Sequence, residues 1–296
     1  METAGKDPKH DQVGMFDPLL AAVAPRGEYP FYRAGYMLWP HPRAAEAAAV
    51  RLMTIGNSTS LWPVSDWSRV MAERLKAQGH DIGLWHGAGK GNTSSQELLR
   101  VVRDAPAIGP RLIVSLSGIC DIGHLLNSKN YPFAHKYIRR MLGLVQKHGL
   151  AEEITYGYPD PVSPAESWCR NQRMARVLAE DMGIPYLCFL QPVQGDGPYP
   201  MTAEERAFFE TKAAVVLKAI DKPYGQCVTE FYDEVRAILA ADPDRHDHVI
   251  DITDAFAGTP GAYRDHRHQG PEGVARLAEV IAGHLAPLLP PPTVPA

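Results

Sequence analysis

Two short segments near opposite ends of the chain carry the residue types of a hydrolytic relay. Gly56-Asn57-Ser58-Thr59-Ser60 follows an apolar run directly, and Asp265-His266-Arg267-His268 stands directly before a helical pattern. A serine hydroxyl is a weak nucleophile until a base removes its proton, so Ser58 needs an imidazole within reach and a carboxylate to orient that imidazole. His268 and Asp265 meet both needs. Taken alone, Ser58 or Thr59 reads as the N-cap of a turn after a strand. What sets Ser58 apart is its position at a strand end, with the Asp265/His268 pair in a loop where a second element begins.

The elements that must position these groups are written in the apolar pattern. Val50-Arg51-Leu52-Met53-Thr54-Ile55, stopped by Gly56, fits a buried strand. Trp67, Val70, Met71 and Leu75 then fall at helical spacing and end at Gly79, which completes a first β-α unit. Asp81 to His86 predicts a second strand and Ser95 to Arg103 the helix after it. Leu112 to Leu116, Ile184 to Leu190 and His248 to Ile252 predict three further strands. Capping boxes at Ser163-Pro164-Ala165-Glu166 and Thr202-Ala203-Glu204-Glu205 mark two helix starts. A closing helix opens at Pro271 and carries Val274, Leu277, Ala278, Ile281 and Leu285 on one face. Strands separated by helices predict an α/β fold, a three-layer α/β/α sandwich on a mainly parallel five-stranded sheet. Ligands of such sheets bind beyond the carboxyl ends of the strands.

Composition bounds the rest. A chain of 296 residues, 45% hydrophobic and 22% charged, suits one large α/β domain, placed at 27–289 between an N-terminal arm (1–26) and a Pro-rich, disordered tail (290–296). A net charge of -4 with interspersed signs offers no basic stripe for phosphates, so no nucleic-acid partner is expected. Cys120, Cys169, Cys188 and Cys227 lie too far apart for a zinc site or a disulfide framework and read as reduced thiols. The first apolar run, Leu19 to Pro25, is too short for a signal segment or a membrane span, so a cytoplasmic protein with no membrane partner is expected.

Other segments carry weaker signals. Gly91 lies where the second β-α loop should overhang the same sheet edge, and its backbone N–H suits a developing oxyanion, though turn chemistry alone also explains it. Gly87-Ala88-Gly89-Lys90-Gly91 fails as a phosphate loop, because glycine follows the lysine where a hydroxyl should bind magnesium. His246-Asp247-His248 and His266-Arg267-His268 lack a third ligand in the sequence and read as solvated loop histidines, so no metal and no cofactor is expected. Trp62, Trp85, Gln191 and Tyr263 stand near strand or loop ends as pocket-lining candidates without a catalytic role.

Taken in order, these blocks resemble the SGNH or GDSL hydrolases. Gly56-Asn57-Ser58 is similar to the first family block, Gly91 to the second, Gly118-Ile119-Cys120-Asp121 to the third and Asp265-His266-Arg267-His268 to the last, over residues 50 to about 286. The resemblance implies a flavodoxin-like fold and a serine esterase without cofactor, with Ser58 as nucleophile, His268 as base, Asp265 as orienting acid and the Ser58 and Gly91 amides in the oxyanion hole. The Gly-Asn-Ser-Thr opening, the Leu190-Gln191-Pro192 segment and the Tyr263-Arg264-Asp265 lead-in resemble members whose substrates are small-molecule or glycan esters, a small acyl group on a sugar-like or other polar alcohol.

The family pattern is broken twice. Asn57 replaces an aspartate, keeping most local hydrogen bonds while losing the charge. Cys120 stands where the family places an asparagine oxyanion donor, and a thiol donates only weakly. Losing such a donor costs about 2.7–4 kcal/mol of transition-state stabilisation, unless a neighbour such as Asn92 or His124 serves instead. Three alternatives follow: an acyltransferase using the same triad, a catalytically impaired binding protein of this fold, or a thiol nucleophile at Cys120, the last set against the usual role of a core cysteine as a small hydrophobe.

Overall fold

The first strand of the parallel set, Val50–Gly56, is buried on both faces, as its continuous apolar run requires. The computed structural model describes residues 32–33, 35–62, 65–127, 144–145, 147–149, 162–218 and 220–292. The expected arm (1–26) and the last four residues of the expected tail lie outside these. In chain order the elements are β1 (Tyr32–Arg33), β2 (Tyr36–Trp39), α1 (Pro42–Ala47), β3 (Val50–Gly56), α2 (Trp67–Ala77), β4 (Ile82–His86), α3 (Ser94–Ile108), β5 (Leu112–Ser117) and α4 (Ile119–Asn127). There follow α5 (Pro164–Asp181), β6 (Tyr186–Leu190), α6 (Ala203–Ala213), β7 (Val216–Leu217), β8 (Lys222–Pro223), α7 (Tyr224–Ala241), β9 (Val249–Asp251) and α8 (Pro271–Leu285).

Among the described residues the main sheet runs β1-β2-β4-β3-β5-β6-β9. All pairings from β4 to β9 are parallel, with Thr54 opposite His86 on one side and Val114 on the other. These five strands have the second-first-third-fourth-fifth order of a flavodoxin-like sheet, which reverses direction of winding at β3. The sheet is nevertheless larger than the expected five strands. β1 and β2 add an antiparallel edge against β4. Strands so short carry too little alternation to be read, yet they cover an edge of β4 that would otherwise stand open.

Side-chain alternation splits the core into two layers. Met53, Ile55, Ile113, Cys188 and Leu190 face α3, α4, α5 and α7. Val50, Leu52, Val114, Leu116 and Phe189 face α2 and α8. The helix signals hold. Both capping boxes form, at Ser163/Glu166 and Thr202/Glu205, and a third forms at Thr93/Gln96.

A polar layer lies inside the α3/α5 side. Glu97 accepts from Ser115 Oγ at 2.8 Å and Gln172 Nε2 at 3.0 Å, while Asp121 accepts from Ser94 N at 3.0 Å and Ser94 Oγ at 2.6 Å. Burial, reinforced by the Asp121 charge, pushes the Glu97 carboxyl up to about 8, and burial pushes Asp121 up to about 7. Because both folded values exceed the unfolded ones near 4, their stabilising protonation is complete in acid and is lost as pH rises through 7 and 8. Urea unfolding is therefore expected to show a stability about 1 kcal/mol lower at pH 8 than at pH 7. That window avoids the buried, neutral His86 and His248, which cost stability only below about pH 6.5. An equal or higher midpoint at pH 8 would refute the buried protonated pair.

Candidate active site

Ser58 opens a single 3-10 turn, Ser58–Ser60, just past the carboxyl end of β3. Asn57 caps it, its Oδ1 accepting from Thr59 N at 2.9 Å. A Cβ on Gly56 would stand 2.8 Å from Leu116 O and 2.9 Å from Ser60 Oγ, so only glycine lets the strand enter this turn. His86 supports the turn from β4. The Ser60 carbonyl, 2.6 Å from His86 Nε2, can only accept, so Nε2 carries the proton. Nδ1, with its one lone pair, then accepts from Thr54 Oγ1 at 2.7 Å, and Ser68 Oγ lies 3.1 Å from it. Burial, with the Arg100 charge, drives this imidazole down to about 3, which keeps it neutral. Trp62 stacks on the same ring at 5.1 Å and 9°.

The second half of the site is a tight hairpin ahead of α8. Arg264 N donates to His268 O at 3.0 Å, Gly270 N donates to Ala262 O at 2.8 Å, and Tyr263 pairs with Gln269. Inside it Asp265 Oδ1 accepts from Arg267 N at 3.0 Å and His268 N at 2.8 Å. Its other oxygen, Oδ2, lies 2.7 Å from His268 Nδ1, and His268 Nε2 lies 2.9 Å from Ser58 Oγ, 210 residues away. Burial alone would raise the Asp265 carboxyl, but the His268 ring and the two backbone N–H groups hold it well below the usual carboxylate range. An ionised Asp265 can only accept, so Nδ1 holds the proton, Nε2 is the acceptor and the Ser58 hydroxyl donates to it. This arrangement can draw a proton from Ser58 as its oxygen attacks.

The hairpin is fixed from outside by one carboxylate. Glu205, on α6, accepts from Tyr263 N at 3.1 Å, Gly261 N at 3.3 Å and Thr202 N at 2.8 Å, and also from the Tyr199 hydroxyl. Ala262 N donates to Tyr199 Oη at 2.9 Å. On the side of α2, Ser65 Oγ donates to Gln269 Oε1 at 3.1 Å.

The remaining residues singled out from the sequence fall as follows. Gly91 is buried in the β4–α3 loop at φ 79°, and that loop is tied to the strand end by Gly89 N and Asn92 Nδ2, which donate to Gly56 O at 3.0 and 3.3 Å. Cys120, 2% exposed, packs in the first turn of α4 beside Ile119 and Ile122, the setting of an inert thiol rather than of a nucleophile. The His124 side chain lies outside the described residues. Three histidines expected in solvent are not there. His246 and His248 are buried, the His248 ring lying 6.1 Å from both the Tyr186 ring and the His246 ring. His266 is half-buried between Phe208, stacked at 6.3 Å, and the edge of Tyr224 at 5.7 Å. Among the described residues no group of three or more histidine, cysteine or acidic side chains could hold a metal, and no helix is long and apolar enough to cross a membrane. Trp85 packs edge-on to Tyr36, and Tyr263 packs against Tyr199 and Phe256.

Two supporting residues were missed in the sequence. His86 left one signal, a histidine ending an apolar strand. Glu205 was visible only as half of a capping box, with nothing to announce its bonds to residues 261 and 263.

No family model and no curated protein matches the chain. Among solved structures it is similar to a lipase/acylhydrolase from Enterococcus faecalis, at 15% identity over 83% of this chain and 100% of that one, with a TM-score of 0.48. It is similar also to a GDSL-like lipase from Bacteroides thetaiotaomicron, at 15% identity over 80% and 88% of the two chains and a TM-score of 0.45. A third is a catalytic mutant of an acetylxylan esterase from Geobacillus stearothermophilus, at 13% identity over 79% and 93% and a TM-score of 0.47. All three are likenesses of fold at low identity.

Proposed function

We propose that this protein is a serine ester hydrolase of the SGNH/GDSL kind. The observation that carries the reading is the unbroken relay from Asp265 through His268 to Ser58, with spacings of 2.7 and 2.9 Å, at the carboxyl ends of the parallel strands. In the proposed mechanism His268 Nε2 takes the hydroxyl proton as Ser58 Oγ attacks the ester carbonyl. The oxyanion is held by the Ser58 and Gly91 backbone amides, and His268 returns the proton to the departing alcohol. Water, deprotonated by the same imidazole, then releases the acyl group from Ser58.

The proposed substrate is a small acyl group on a sugar-like or other polar alcohol. Phe208, 51% exposed, lies stacked on His266, the neighbour of Asp265, and presents an aromatic surface on which the C–H face of a sugar ring can pack. A fluorophosphonate probe tests the reading. Labelling of intact protein at the Ser58 peptide, with hydrolysis of short-chain nitrophenyl esters, is the expected result. Absence of both would favour a binding protein without turnover, the reading for which Cys120 argues.

The hairpin anchor gives a further expectation. Glu205→Gln keeps the size of the side chain but turns an N–H2 toward a site that now receives four donors. Its kcat is expected to fall about 10- to 100-fold with little change in KM, since slight misplacement of a catalytic group has effects of that order. Steady-state kinetics beside a thermal melt measure this, and full kcat in the folded variant would show that the hairpin holds without the carboxylate.

A further inference from the structure

The proposed oxyanion hole has two backbone donors and, at position 120, a thiol where the resemblance calls for a carboxamide. A carboxamide lies close to the Ser58 turn, just past the end of another strand. Gln191 follows β6 and is fully buried. Its side chain crosses the end of β5, where a Cβ on Gly118 would lie 3.6 Å from Gln191 Cγ and 3.3 Å from Leu190 Cδ1. Gly118, at φ +143°, therefore leaves room for it, two residues before Cys120.

The orientation of this amide is fixed by a chain of obligatory roles. Thr59 N–H can only donate, so the Asn57 atom facing it at 2.9 Å is Oδ1. Asn57 Nδ2 must then donate, and it does so to Gln191 Oε1 at 2.7 Å. Gln191 Nε2 is left facing away from Asn57, buried and without a hydrogen-bond partner among the described residues. A buried N–H2 with no acceptor is costly and calls for one that arrives later. Asn92, the neighbour suggested by the sequence, is less suited, because its Nδ2 is already engaged by Gly56 O.

We propose that Gln191 Nε2 is the third oxyanion donor, serving from the segment just after β6 in place of the residue at 120. The inference rests on the ester-hydrolase reading of Ser58. The side chain acts on the reacting oxygen alone, with no bond made or broken at Gln191.

The test is a rescue. Gln191→Met keeps the volume and removes the donor together with the oxygen that accepts from Asn57, and its kcat toward a short-chain nitrophenyl ester is expected to fall about 10²- to 10³-fold with KM nearly unchanged. Adding Cys120→Asn to that variant should recover most of the loss, which it could not do if Gln191 only braced Asn57. A second measurement uses the unaltered protein: with ¹⁵N-labelled glutamine, the Gln191 side-chain N–H signals should move downfield when a boronic acid forms a tetrahedral adduct on Ser58. Unchanged kcat in Gln191→Met, a loss that Cys120→Asn leaves in place, or a silent Gln191 signal in the adduct would each overturn the proposal while wild-type labelling and hydrolysis persist. Failure of the wild type to label or hydrolyse would instead remove the ester-hydrolase reading, and this inference with it.

Discussion

Ser58→Ala is expected to lower kcat toward a short-chain nitrophenyl ester by about 10⁵- to 10⁶-fold and to leave the thermal midpoint nearly unchanged. Ser58 is half-buried and its oxygen faces His268 Nε2, so removal of the hydroxyl deletes the proposed nucleophile without opening the core. The turn survives, because its cap is the Asn57 side chain and its support is His86 through the Ser60 carbonyl. What remains is the slow attack of water on an ester still polarised by the backbone amides. Kinetics paired with a melting curve decide the matter. A variant that keeps more than about one hundredth of the rate would place the nucleophile elsewhere.

Asp265→Asn is expected to cost about 10⁴-fold in kcat at neutral pH, and the reason is a forced tautomer. Oδ1 accepts from two backbone N–H groups, Arg267 and His268, so an asparagine must keep its oxygen there and turn its N–H2 toward His268 Nδ1. Nδ1 then becomes an acceptor, the ring proton moves to Nε2, and the imidazole presents a donor to Ser58 where a base is needed. The native carboxylate, held far below the usual range, stays ionised at every pH near neutrality. Nitrogen chemical shifts of His268 report the tautomer directly. Retention of the Nδ1-protonated ring together with near-normal turnover would mean that another group orients the base.

Sequence alone made the parallel strands legible because each is a short apolar run, and the inner ones are buried on both faces. Ser58, Asp265 and His268 were legible because each motif is local, although nothing in their spacing required that they meet. The rest was hidden for physical reasons. β1 and β2 are too short to carry a period and depend on β4 for their pairing. The roles of Gln191 and Glu205 arise from partners 134 and 58 residues away, and no window along the chain contains both members of either pair. His246, His248 and His266 were read as solvated, whereas the first two rings lie beside each other, His248 beside Tyr186 as well, and His266 lies against Phe208 and Tyr224.

The helices that follow the two halves of the relay, α2 after Ser58 and α8 after His268, pack against each other on one face of the sheet through Trp67, Met71, Leu75, Leu277 and Ile281. The alignment of hydroxyl and imidazole is thus a property of that seam as much as of the loops. Any agent that slides one rod along the other, whether heat, a cavity in the seam or a mild denaturant, would silence the proposed chemistry while the strands beneath are still standing.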